Sequence, residues 1–142
     1  MNLSLATVTH LASAMTVLRL SLHVLAATIW VGGQFVLAGL MPTVRELGEG
    51  APRTIARAFG RLSWPAFWIL IATGFWNFAA MNGTQSSSWR FAFSVKMLFV
   101  IISGLGAFLH TRATGASRRG MFAGLSALGS IVALVLGVAL GG

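Results

Sequence analysis

Residues 20–40 read LSLHVLAATIWVGGQFVLAGL, an apolar run whose one titratable side chain is His23. At a rise of 1.5 Å per residue, about 20 residues cross the roughly 30 Å of a bilayer's hydrocarbon, so the stretch predicts a transmembrane helix. Three further runs have the same character, at 62–80, 91–108 and 121–140. Composition points the same way. Apolar residues make up 56% of the 142-residue chain and charged residues 8%, against roughly one-half and one-quarter in soluble domains. The expectation is a single all-α domain, an integral membrane four-helix bundle in contact with the lipid bilayer.

The segments between the runs set its orientation. Arg45, Arg53, Arg57 and Arg61 lie between the first two, and Arg112, Arg118 and Arg119 between the last two, whereas residues 81–90 carry only Arg90. Short loops rich in arginine and lysine stay on the cytoplasmic side. The chain is therefore expected in a bacterial-type inner (plasma) membrane, with the basic loops cytoplasmic and both termini outside. The net charge of +8 then reads as an orientation signal, and no nucleic-acid partner is expected. The absence of cysteine excludes disulfides, thiolate metal sites and redox thiols. Residues 1–21 lack the basic start of a secretory signal, so residues 1–19 are expected to extend the first helix outward or lie in the interface.

Local punctuation refines the helix ends. Pro42 should end the first helix at Met41, because the residue before proline is pushed out of the helical region. Residues 45–58, with Gly48, Gly50 and Pro52, read as a loop, and 54–61 as an amphipathic turn. Pro65 falls in the expected first turn of the second helix, where a missing N–H is tolerated. Trp64, Trp68, Trp76 and Trp89 fall mostly near helix ends, as interfacial anchors do, and residues 82–88 form a polar outer loop. In the fourth run Gly129, Ala133, Gly137 and Gly141 recur every four residues. Such a stripe supports close packing within the bundle, or a homo-oligomer or larger membrane complex through the fourth helix.

A cationic group inside an apolar run costs a few kcal/mol on insertion scales, which singles out Lys96 beside His23. On a regular helix His23, Ala27, Trp30 and Gln34 share one face, flanked by Gly32 and Gly33. Lys96 and His110 share one stripe of the third helix but lie about 21 Å apart, too far for one metal ion. Counted from the predicted ends, His23, Asn77 and Lys96 each lie roughly 5–8 Å below the outer boundary. They are expected to make a small polar site there, with His110 at the inner boundary. The structural alternatives are a Lys96 that snorkels to the outer headgroups and a neutral His23 bonded between helices. Imidazole suits copper, iron and zinc, and thioether suits Cu(I). His10, Met15, His23, Met81 and Met97 fall in the outer half, although no H-x-x-x-H or M-x-x-M spacing joins them. Glu46 and Glu49 are both loop residues, which argues against a carboxylate proton pump or a hydrolase.

Five segments carry a likeness: LHVLAATIWVGG at 22–33, AFGRLS at 58–63, IATG at 71–74, VKML at 95–98 and HTR at 110–112. Together they resemble the copper-resistance protein D (CopD) superfamily across most of residues 20–112. The resemblance implies a four-helix membrane module for copper binding, transport or homeostasis. His23 would be the metal ligand, with Met97 a soft partner and Lys96 the second polar site residue. The HemJ-type protoporphyrinogen oxidase branch is similar in its His-and-Trp first helix and its later Lys. It implies haem b bound among His23, Trp30, Asn77 and Lys96, and would make the chain an oxidoreductase. That branch carries Leu-Pro-Arg after the first-helix Trp, where this chain has Leu37-Ala38-Gly39-Leu40 and then Met41-Pro42-Thr43. A CopD-like copper protein is the leading expectation. The alternatives are a haem b redox protein and an accessory subunit of a larger complex.

Overall fold

The structure is a computed structural model that describes residues 12–81 and 83–141. His10, residues 1–11 of the expected outward extension, and Asn82 of the polar loop lie outside the described residues. The rest is all-α, with four helices and no strand among the described residues. Helix α1 spans Ala14–Glu46, α2 Ala51–Ala79, α3 Ser87–Arg112 and α4 Ala116–Gly141. Helices α1, α3 and α4 are each long and apolar enough to cross a membrane. Helix α2 has the length, at 29 residues, but Trp64, Trp68, Trp76 and Asn77 dilute its apolar run.

The helices outrun the predicted spans. Helix α1 starts at Ala14, where the Ser13 hydroxyl accepts from the Thr16 N–H at 3.3 Å, so Arg19 falls inside it. Pro42 does not end it, since the helix runs on to Glu46. Nor is Pro65 in a first turn: α2 begins at Ala51 and takes in most of the expected loop, leaving a short turn closed by Gly48 at a positive φ of 119°. Both prolines are tolerated for one reason. Each frees the carbonyl four residues earlier, Ala38 or Arg61, and both of those residues are exposed near the basic end.

Within α1, residues Thr28–Gly32 form a π-helical segment. A π turn takes in an extra residue and alters the phase of everything beyond it. The Gln34 side chain donates from Nε2 to the Trp30 carbonyl at 3.0 Å, which stabilises the widened turn. The apolar pattern gave no sign of it.

Helices α1 and α2 form one antiparallel hairpin, α3 and α4 the other. The α3–α4 seam is built from small buried residues, Ser103 and Gly106 against Ser126, Gly129, Ser130 and Ala133. A Cβ on Gly129 would lie 3.0 Å from both the Phe99 carbonyl oxygen and the Ser103 nitrogen. The middle of the small-residue stripe is thus used inside the chain, where it lets two backbones meet. The hairpins are joined by aromatic packing: Phe67 lies against Gly104, and Phe78 stacks on Phe93 at 4.8 Å. Apolar side chains such as Val24, Val36, Leu128 and Val138 stay exposed on the outside, as lipid contact requires.

Candidate functional site

Two polar levels run across the bundle. At the first, the indole N–H of Trp30 donates to the Ser103 hydroxyl at 3.0 Å, linking α1 to α3. Trp30 is 4% exposed and is packed by Phe67 and Trp64 at ring distances of 4.4 and 5.6 Å. One turn on, Ser126 of α4 donates to the Gln34 side-chain oxygen at 3.3 Å. The face expected for His23, Trp30 and Gln34 therefore reaches three helices in turn, α2, α3 and α4. Trp30, expected among the cofactor-binding residues, is committed to the core.

The second level contains His23. Its Nδ1 lies 2.8 Å from the Thr73 hydroxyl on α2, and that hydroxyl donates to the Ile69 carbonyl at 2.6 Å. A hydroxyl has one proton. With that proton committed to Ile69, the oxygen accepts from His23 Nδ1–H, and the neutral ring keeps its lone pair on Nε2. The ring packs beside Gly74, where a Cβ would lie at ordinary contact distance, 3.6 Å, from His23 Cε1. An imidazole anchored through one nitrogen with the other left as a donor is the arrangement in which histidine ligates metals.

Helix register brings Met97 level with Gly74. Phe78 of α2 stacks on Phe93 of α3, and eleven residues further along each helix Phe67 lies against Gly104. By that antiparallel register, Gly74, four residues from Phe78, comes level with Met97, four residues from Phe93. Positions 93, 97, 100 and 104 form one stripe of α3, so half-buried Met97 lies on the stripe that faces α2.

Lys96 lies seven residues from Ser103 on α3, as His23 does from Trp30 on α1, so the Trp30–Ser103 bond puts the two at similar depth. The Lys96 ammonium turns toward α4: a Cβ on Gly137 would lie 3.1 Å from Lys96 Nζ. The glycine thus makes room for the cation inside the bundle. Asn77 lies one helical turn beyond Thr73, nearer the bundle end than His23. His110 is at the basic end, where its Nδ1 lies 2.8 Å from the Arg119 carbonyl oxygen across the α3–α4 turn. Met15 and Met81 are exposed.

Several contributors carry no charge and passed unnoticed in the sequence. Thr73 stood among the segments of the family likeness without a role, and nothing in the apolar pattern marked Ser103, which lies between Lys96 and His110 on α3. Arg19 fell just outside the predicted span. The spacing that pairs Arg19 with His23 and Thr73 with Asn77, four residues each, was readable, but the contact between helices was not. Among the described residues no group of three or more His, Cys, Asp or Glu side chains converges. No protein-family model matches the chain, and no curated protein or solved structure matches it either.

Proposed function

We propose that the chain is a CopD-like, multi-pass inner-membrane protein that binds copper as Cu(I) through His23 Nε2 and the Met97 thioether and assists its transfer. One observation carries the reading: the Thr73 hydroxyl holds Nδ1 and leaves the Nε2 lone pair uncommitted, on a ring beside Gly74, the position level with Met97. An imidazole with a thioether suits soft Cu(I), and a site with few ligands suits a metal that is to be passed on. Lys96 places a positive charge beside the site, which disfavours a divalent ion and favours an accompanying anion. All four helices cross the bilayer in this reading. The turns at 47–50 and 113–115, flanked by Arg45 and Arg53 and by Arg112, Arg118 and Arg119, are cytoplasmic in this reading, which puts the copper site in the outer half.

Haem b has less support. His23 offers an axial imidazole, but its ring edge lies against the Gly74 position and α1 meets α2 at a 2.8 Å hydrogen bond beside it.

Competition titration of the purified protein against a chromophoric Cu(I) chelator tests the assignment. Wild type is expected to take one Cu(I), His23→Ala to take none, and Met97→Leu to bind more weakly. Wild-type protein that leaves all the Cu(I) on the chelator rules the proposal out, and a Soret band in the purified protein reinstates the haem reading. For the orientation, single cysteines at Ser88 and Ala116 should be labelled from opposite sides of intact cells.

A further inference from the structure

One turn beyond the His23–Thr73 hydrogen bond, away from the basic end, α1 carries Arg19 and α2 carries Asn77. Both segments are regular α-helix there. Each residue therefore continues the stripe of its bonded neighbour, and the two come level across the α1–α2 seam. Arg19 Nε and Asn77 Oδ1 are both buried, and neither has a hydrogen-bond partner among the described residues. One is an N–H donor on a cation and the other an acceptor. Leaving both open is costly, and a single bound group that accepts from Arg19 and donates to Asn77 removes the cost at both.

Charge makes the same demand. The only two acidic side chains, Glu46 and Glu49, lie at the basic end. Arg19, Arg90 and Lys96, the three cations toward the other end, have no side-chain carboxylate near them. Arg90 lies exposed in the first turn of α3, and Lys96 is turned to Gly137. Half-buried Arg19, whose Nε is enclosed and unpartnered among the described residues, is thus the cation that calls for an anion from outside the chain.

We infer that Arg19 and Asn77 form a binding site for a phosphate oxyanion that also carries an O–H donor. The guanidinium donates to the phosphoryl oxygens, a geometry its planar fork suits, and Asn77 Oδ1 accepts from the hydroxyl. Two sources offer this chemistry: the headgroup of phosphatidylglycerol at the membrane surface and free inorganic phosphate. Phosphatidylcholine has the phosphate but no hydroxyl for Asn77, and its own ammonium competes for the negative charge. The site lies one turn from His23 and requires no metal.

The test uses the metal-free full chain in phosphatidylcholine nanodiscs with and without phosphatidylglycerol, followed by native mass spectrometry of the retained lipid. Wild type and the control Arg90→Gln are expected to keep phosphatidylglycerol in preference to phosphatidylcholine. Arg19→Gln and Asn77→Leu should each retain about tenfold less, the loss expected for one charge-assisted or buried hydrogen bond. Circular dichroism checks that each variant is helical, and Arg19→Lys, which keeps the charge but loses the fork, replaces Arg19→Gln if that variant does not fold. If inorganic phosphate raises the unfolding temperature of wild type in phosphatidylcholine discs but not that of Arg19→Gln, the site stands and its ligand is free phosphate. Equal lipid retention in every variant, with no phosphate-dependent shift, overturns the inference. Because no copper is present, that failure leaves the copper reading untouched.

Discussion

Replacing Thr73 by valine removes one hydroxyl and keeps nearly the same side-chain volume, so it isolates the contact to His23. The wild-type hydroxyl accepts from Nδ1 at 2.8 Å while donating to the Ile69 carbonyl at 2.6 Å. Valine does neither. Ile69 still receives its backbone partner within α2, so the cost falls on the His23 N–H. Hydrogen bonds between membrane helices contribute about 0.6–2 kcal/mol, and the half-buried ring places this one near 1 kcal/mol of stability. The effect on metal affinity should be larger. An unanchored ring turns and exchanges its tautomer, and loss of such a supporting partner weakens binding about 10–100-fold, or about 1.4–2.7 kcal/mol. Competition for Cu(I) by wild type, Thr73→Val, Thr73→Ser and His23→Ala measures it. Serine should restore most of the affinity. If Thr73→Val binds as tightly as wild type while His23→Ala binds nothing, the hydroxyl does not position the ligand and the tautomer argument is wrong.

Three further outcomes test the packing. Ser103→Ala should leave the Trp30 indole N–H unpaired in a site that is 4% exposed, lowering stability by about 1–3 kcal/mol, which chemical unfolding followed by tryptophan fluorescence would detect. Gly129→Ala should force α4 away from the α3 backbone and cost about 1–3 kcal/mol as an overpacked seam; thermal unfolding at the wild-type temperature would contradict the seam described. Gly137→Ala should displace the Lys96 ammonium, so in a double-mutant cycle it should harm the wild-type background more than Lys96→Met, with a coupling of about 0.5–3 kcal/mol; strict additivity would mean that the two residues do not meet.

The number of helices and their approximate positions were legible because hydropathy acts residue by residue. The helix ends were not. Pro42 looked like a terminator and Pro65 like a first-turn residue, yet α1 runs on to Glu46 and α2 starts at Ala51, because near the exposed basic end the carbonyls they free are tolerated. The common depth of His23 and Lys96 was readable by counting along the helices, and the Trp30–Ser103 bond agrees with it. Asn77 was placed at that depth too but lies a turn nearer the bundle end, beside Arg19. The π segment at Thr28–Gly32 left no trace in apolar periodicity, since its stabilising contact is one Gln34 side chain.

By itself the sequence determined an all-α chain of apolar helices, the end at which its charge gathers, and the few polar side chains left inside. Each of those follows from the free energy of moving single residues between water and hydrocarbon. Only the tertiary structure decided what each polar group meets: Thr73 for His23, Ser103 for Trp30 and Gly137 for Lys96, while Arg19 Nε and Asn77 Oδ1 meet no partner among the described residues. Those pairings depend on the rotation and register of helices about one another. Glycine and serine contacts across the seams and one widened turn set that geometry, and a hydropathy profile does not register them.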